Sequence, residues 1–79
     1  MNKVISVLPL TEKKLAIVLS DGRKGIFDVT PFIRSEFFKQ LENDEYFNKV
    51  RVFFTGIGWP EGQDLGPDTI EAEMHEVKD

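Results

Sequence analysis

Apolar and polar positions alternate in a way that divides the chain into a strand-rich opening, an aromatic middle and an acidic close. Lys3 to Leu8 and Lys14 to Ser20 are rich in Val, Ile and Leu, and turn-forming stretches bound them at Pro9 to Lys13 and at Asp21-Gly22. Both predict strands. Asp21-Gly22 suits a two-residue type I′ hairpin turn, in which both central residues carry positive φ, so Arg23 to Val29 is expected to return antiparallel as a third strand. With that turn the numbers of facing residues sum to 43, so that Ile17 opposes Ile26, Ala16 opposes Phe27 and Val18 opposes Gly25. Leu15, Ile17, Leu19 and Ile26 then share one side, and Ala16, Val18, Phe27 and Val29 the other. Neither side is polar, which predicts a sheet covered on both faces by the chain's own helices or by a second copy.

After the strands the period changes. Thr30-Pro31 reads as a helix start, because threonine caps free backbone amides and proline suits the first helical position. Phe37, Phe38 and Leu41 recur at the spacing of a short buried helical stripe, and Asn43 is placed to cap a turn through Asp44, Glu45, Tyr46 and Phe47. Val50, Val52 and Phe54 alternate as a strand, with Thr55-Gly56 turning into a last strand that carries Ile57 and Trp59. Gly66-Pro67-Asp68 marks another helix N-terminus, with Leu65 and Ile70 at the two positions of a hydrophobic staple. Ile70, Met74 and Val77 at i, i+4 and i+7 extend that helix with a narrow apolar stripe. The prediction is one α+β domain over residues 1–79, with a small antiparallel sheet of about five strands in β-β-β-α-α-β-β-α order and short helices packed on it.

Composition narrows the class. With 41% apolar and 30% charged residues the chain has enough apolar content to collapse, which argues against disorder. Seven phenylalanines are expected to supply much of a lean core. Cysteine is absent, so neither a disulfide framework nor a thiolate metal site compensates for small size. That absence, with no signal-peptide pattern and no apolar run near membrane-span length, points to a cytoplasmic protein without a membrane partner. Charge is uneven: residues 61–79 hold seven carboxylates against Lys78, a net −6, which leaves the first 60 residues at +2 within a total of −4. The basic residues are scattered without a stripe and the pI is near 4.9, so direct nucleic-acid binding is not expected.

Taken in order, SDGRKGIFDVTPFI, FFKQLENDEYFNKV and IGWPEGQDLGPDTI resemble a bacterial family known only as domain of unknown function 2442, over nearly the whole chain. The most specific part is Trp59-Pro60, Gly62, Asp64-Leu65 and Pro67, supported by Asp21-Gly22 and Asp28-Val29. Gly66 departs from the serine more usual before the proline, which weakens the expected helix cap. The resemblance implies a compact α+β domain, in some relatives joined to a helix-turn-helix region that this chain lacks. It also implies a gene often placed beside that of another small protein, as in toxin–antitoxin pairs. It carries no catalytic residues.

The residues themselves agree that chemistry is scarce. No P-loop, dinucleotide fingerprint, HExxH, nucleophile elbow or EF-hand loop occurs, so no enzyme and no cofactor is expected. His75 falls four residues after Glu71, but two ligands are too few for a metal site. Trp59, Pro60, Asp64 and Asp28 are the candidate binding residues. An indole serves interaction hot spots as well as cores, and the two aspartates beside turns are either caps or, if they converge, an acid/base pair. The leading expectation is a non-enzymatic protein-interaction or regulatory module, self-associating through an edge strand as a homodimer, or neutralising a small adjacent protein. The alternative is a small-ligand-binding domain with a pocket near Trp59 and Asp64.

Overall fold

A computed structural model describes residues 2–78 as two antiparallel sheets with short helical turns between them. The first sheet contains β1 (Val4–Pro9), β2 (Lys14–Leu19), β3 (Lys24–Asp28) and β7 (His75–Glu76), in the order β1-β2-β3-β7. The second contains β4 (Arg51–Phe53), β5 (Gly56–Gly58) and β6 (Asp64–Leu65), in that order. Between the sheets in sequence lie 3-10 turns at Thr30–Phe32 and Lys39–Glu42 and the helix α1 (Asp44–Phe47). Helix α2 (Pro67–Glu73) joins β6 to β7. The α+β class is as expected, but among the described residues the strands number seven in two sheets rather than about five in one. β4 lies alongside β1, tied by the Val4 amide donating to the Thr55 carbonyl at 2.9 Å.

The β2–β3 register differs from expectation by one residue. Leu15 pairs with Phe27, Ala16 with Ile26 and Ile17 with Gly25. The loop is three residues long, Ser20 to Gly22, closed by the Leu19 amide on the Arg23 carbonyl and the Gly22 amide on the Leu19 carbonyl. Of these three residues only Gly22 has positive φ, at 94°. Asp21 instead turns its carboxylate onto the Arg23 amide at 3.0 Å, a local bond that favours this geometry over a type I′ turn. Since the side-chain period in a strand is two, the slip sorts the faces. Leu15, Ile17, Leu19, Gly25 and Phe27 all turn inward and are buried, while Ala16, Val18 and Ile26 share the half-buried outer face. The sheet is therefore covered on one face, not on both. The φ pattern of a type I′ turn occurs one hairpin earlier, at Glu12 and Lys13, each at φ 60°.

The core joins the inner face of the first sheet to Leu41, Tyr46 and Phe47 from the helical middle, Ile57, Trp59 and Leu65 from the second sheet, and Ile70 from α2. Of the seven phenylalanines only Phe27 and Phe47 are buried, so the expectation of a phenylalanine-rich core fails. Asn43 caps α1 as expected, its Oδ1 accepting from the Tyr46 amide at 3.0 Å. Thr30 does not cap; its own amide donates to Asp28 Oδ1 at 3.0 Å.

The last helix begins where predicted and ends early. Gly66 is its N-cap without a side-chain bond, Pro67 opens the first turn, and Leu65 and Ile70 are buried in the same cluster. Met74 is already extended, at ψ 150°. No basic residue stands in the last turn, where Glu73 faces the negative end of the helix dipole, so continuing the helix through Glu76 would add like charge there. The chain instead adds β7 to β3, pairing Gly25 with Glu76 and Ile26 with His75. Gly25 is required by that arrangement. A Cβ on it would stand 2.8 Å from Met74 Sδ and 3.0 Å from the His75 carbonyl oxygen.

Candidate functional site

Trp59 opens the β5–β6 loop and lies inside the protein, 3% exposed. Its Nε1 donates to the Phe47 carbonyl at 2.9 Å, and its ring lies 6.0 Å from that of Phe47. The loop Pro60-Glu61-Gly62 repeats the construction of Ser20 to Gly22: the Gly62 amide donates to the Trp59 carbonyl, the Trp59 amide to the Gln63 carbonyl, and Gly62 alone takes positive φ, 106°. Pro60 is exposed at the bend.

Behind the loop lies a polar knot that sequence patterning does not reveal. Gln63, 2% exposed, accepts from the Tyr46 hydroxyl at 2.6 Å through Oε1. Its Nε2 donates to the Phe37 carbonyl at 2.9 Å and to Gln40 Oε1 at 3.1 Å. The Tyr46 hydroxyl in turn accepts from the Glu61 amide at 2.8 Å. Among the described residues, no buried side-chain nitrogen or oxygen lacks a partner. A fully paired network of this kind fixes the loop.

The two aspartates are not brought together. Asp64 is exposed on β6 opposite Gly58, and Asp28 ends β3 on the other sheet. No hydrogen bond joins them, and neither lines either of the two surface hollows described below. Asp28 acts as a local turn group. The Thr30 amide on its carboxylate holds its pKa below the usual range, the opposite of what a proton acceptor near neutrality needs. His75 lies on a strand rather than on a helix face with Glu71. Among the described residues no three His, Cys, Asp or Glu side chains are placed to hold a metal ion.

Charged side chains instead stitch distant segments. Arg23 donates through Nε to Asp21 at 2.8 Å and through its guanidinium to Glu71 of α2, while Asn2 Nδ2 donates to the same Glu71 at 3.2 Å. Arg23 holds the Glu71 carboxyl below its ordinary pKa, and Glu71 raises that of Arg23. Asp21 is also lowered, chiefly by the Arg23 amide. Lys13 pairs with Asp44 at the start of α1 and lies 5.4 Å over the Phe47 ring. That pair separates two open hollows. One, of about 360 Å³, is lined by Lys13, Thr30, Ile33, Arg34 and Glu42; the other, of about 690 Å³, by residues of the β1–β2 turn with Asp44 and Asn48.

The most exposed large apolar side chain belongs to Phe54, at 87%. It occupies the β4–β5 turn at φ 53°, a left-handed conformation uncommon for a non-glycine residue, with its ring 4.5 Å from that of Phe53. Val52 and Phe53 of β4 are each 39% exposed. Ile5, also exposed, follows the Val4 amide that binds the Thr55 carbonyl of this turn. The alternation of Val50, Val52 and Phe54 predicts a strand residue here, but β4 ends at Phe53. The available signal was its place immediately before Thr55-Gly56.

These features define a small α+β domain with a closed polar interior and outward-facing apolar groups. The chain belongs to the family described as Protein of unknown function (DUF2442), whose model matches residues 4–76. No curated protein and no solved structure matches it. Among the described residues no helix is long and apolar enough to cross a membrane.

Proposed function

We propose that this chain is a non-enzymatic protein-interaction module with a regulatory role, whose partner is a small protein encoded beside it and neutralised by it. The observation that carries the reading is Phe54. A left-handed backbone costs a non-glycine residue about 1–2 kcal/mol, and exposure of the ring recovers none of it through core burial. Glycine or asparagine would make the same turn more cheaply. An exposed aromatic pair held out at a hairpin turn offers the large apolar contact area of an interaction anchor. Three cations, Lys3, Lys49 and Arg51, stand near it in sequence or pairing and are exposed without ion pairs among the described residues, which suits an acidic partner surface.

The test is calorimetric titration of the neighbouring gene product into wild-type protein and into Phe54→Gly, which keeps the turn conformation available. Binding by the wild type and a loss of at least tenfold in the variant, at unchanged fold, support the reading. Equal affinities, or no heat with either protein, defeat it.

A second reading, a small-ligand site, draws on the 360 Å³ hollow rather than on Trp59. Its Arg34, beside a Lys13 that Asp44 already engages and facing Glu42 in the lining, would receive a carboxylate or phosphate over Ile33. A thermal-shift series with phosphate and small dicarboxylates checks it; no rise in melting temperature with any of them removes it.

A further inference from the structure

The outer face of the first sheet is covered by no element among the described residues, and its register gives its chemistry row by row. One row across the strands is Leu8, Ala16, Ile26 and His75. On one side of it lies the row Ser6, Val18 and Lys24, continued by Val77, whose amide donates to the Lys24 carbonyl at 2.8 Å. On the other side lies the pair Lys14 and Asp28. Leu8 is 61% exposed and Val77 49%. Along β3, then, Lys24, Ile26 and Asp28 follow one another on this face. Neither Lys24 nor Asp28 has an ion-pair partner among the described residues.

We infer that this face pairs with the same face of a second copy, around a two-fold axis that runs along the Leu8-Ala16-Ile26 row. A two-fold axis in that position sets Leu8, Ala16 and Ile26 each against its own equivalent, apolar on apolar, with His75 facing His75 at the exposed end of the row, and exchanges the rows on either side. Lys24 of each copy then faces Asp28 of the other, twice over. Lys24, and Asp28, which has Lys14 and His75 near it but an ion pair with neither, are complementary across the axis, and the sheets stack face to face as in a sandwich, about 10 Å apart. Edge pairing offers less. The edges of the first sheet are β1, tied at the Val4 amide to the Thr55 carbonyl, and β7, only two residues long.

Size sets the strength. β1, β2 and β3, about 4.8 Å apart and about five residues long at about 3.3 Å each, with the two-residue β7 beside them, present roughly 270 Å² per copy, below the range of permanent dimers. The dimer is a reversible one, formed at the upper end of micromolar concentration. This goes beyond the proposed interaction through Phe54, because it uses a different surface and different residues.

Sedimentation equilibrium of the full chain from about 10 µM to about 1 mM tests it. The expected result is an average mass rising from monomer toward dimer. Ala16→Glu, which sets two carboxylates on the axis, and Lys24→Glu, which sets one against Asp28, each weaken association at least tenfold, while Lys24→Glu with Asp28→Lys restores it. Because Asp28 also accepts from the Thr30 amide, a second measurement avoids altering it: Ala16→Cys, the chain's sole cysteine, gives covalent dimer with a short bis-maleimide, and Asp68→Cys on α2 does not. Phe54→Gly leaves the mass profile unchanged, which separates this dimer from partner binding. A wild type that stays monomeric throughout, a dimer untouched by Ala16→Glu or Lys24→Glu, or cross-linking at Asp68→Cys but not at Ala16→Cys overturns the inference.

Discussion

Replacing Gln63 with leucine changes little in volume and removes every polar atom from the centre of the loop knot. Three hydrogen bonds go, those from the Tyr46 hydroxyl and to the Phe37 carbonyl and Gln40. Phe37 and Gln40 are exposed residues that can turn to water, but Tyr46 is buried and its hydroxyl loses its acceptor. A buried unsatisfied donor costs about 1–3 kcal/mol and each further hydrogen bond lost about 0.5–1.5 kcal/mol, which the added apolar burial partly offsets, so the net cost is about 2 kcal/mol. In a domain this small that lowers the melting temperature by about 8–16 °C. Thermal unfolding followed by circular dichroism measures it. Tyr46→Phe alone should cost about 1 kcal/mol, and the double variant less than the two singles together, because the second change removes the donor that the first strands. A Gln63→Leu protein that melts within about 2 °C of wild type, or a double variant that is strictly additive, would refute the claim that this loop is architecture. A hydrated binding hollow would tolerate the leucine.

Gly56→Ala should unfold the protein or cost more than about 3 kcal/mol, since the new Cβ would stand 2.1 Å from the Leu65 carbonyl oxygen; chemical denaturation reads this out. Gly66→Ser has open space around its Cβ and an extended backbone, and should raise stability by about 0.5–1 kcal/mol through a new cap and a less flexible unfolded chain, seen as a higher melting temperature. Asp21, Asp28 and Glu71 all have folded pKa values below their ordinary ones, so their stabilisation is present at neutral pH and is lost as pH falls through those depressed values. Melting temperature should therefore be flat near neutrality and fall in the acid range, more shallowly in Arg23→Met, which removes the chief cause of the Glu71 shift. Trp59 should emit as a buried indole and resist iodide quenching; free quenching would place it in solvent, against its 3% exposure.

What sequence could reveal was local. Asn43 capping α1, the Gly66-Pro67 helix start and the Leu65–Ile70 staple each depend on residues at most five apart, and each is present. The β2–β3 register failed because two turn geometries fit Asp21-Gly22, and the choice rests on where the Asp21 carboxylate bonds. The last helix was read too long because Met74 and Val77 keep a helical spacing whether or not the chain is helical, while Gly25, 49 positions before Met74, is what makes room for a strand. Trp59 is buried, as its core reading expects, and the two aspartates lie on separate sheets, so the acid/base pair they would form on converging does not arise. The bond between Gln63 and Tyr46 is invisible in sequence because a polar residue shows its worth only when its partner, 17 positions away, is known. Phe54 looked like a core residue because exposure is a property of tertiary structure, not of residue type.

The return of residues 66–77 onto β3 has a consequence for synthesis. Emerging in order, β1, β2 and β3 form a meander from neighbouring residues, with the β3 edge unpaired and an uncovered notch at Gly25. Only when α2 has folded over and Met74 has filled that notch does β7 close the edge. Until then the nascent chain carries a sticky border that invites pairing with other chains, and premature release upstream of Met74 would leave that border open for good.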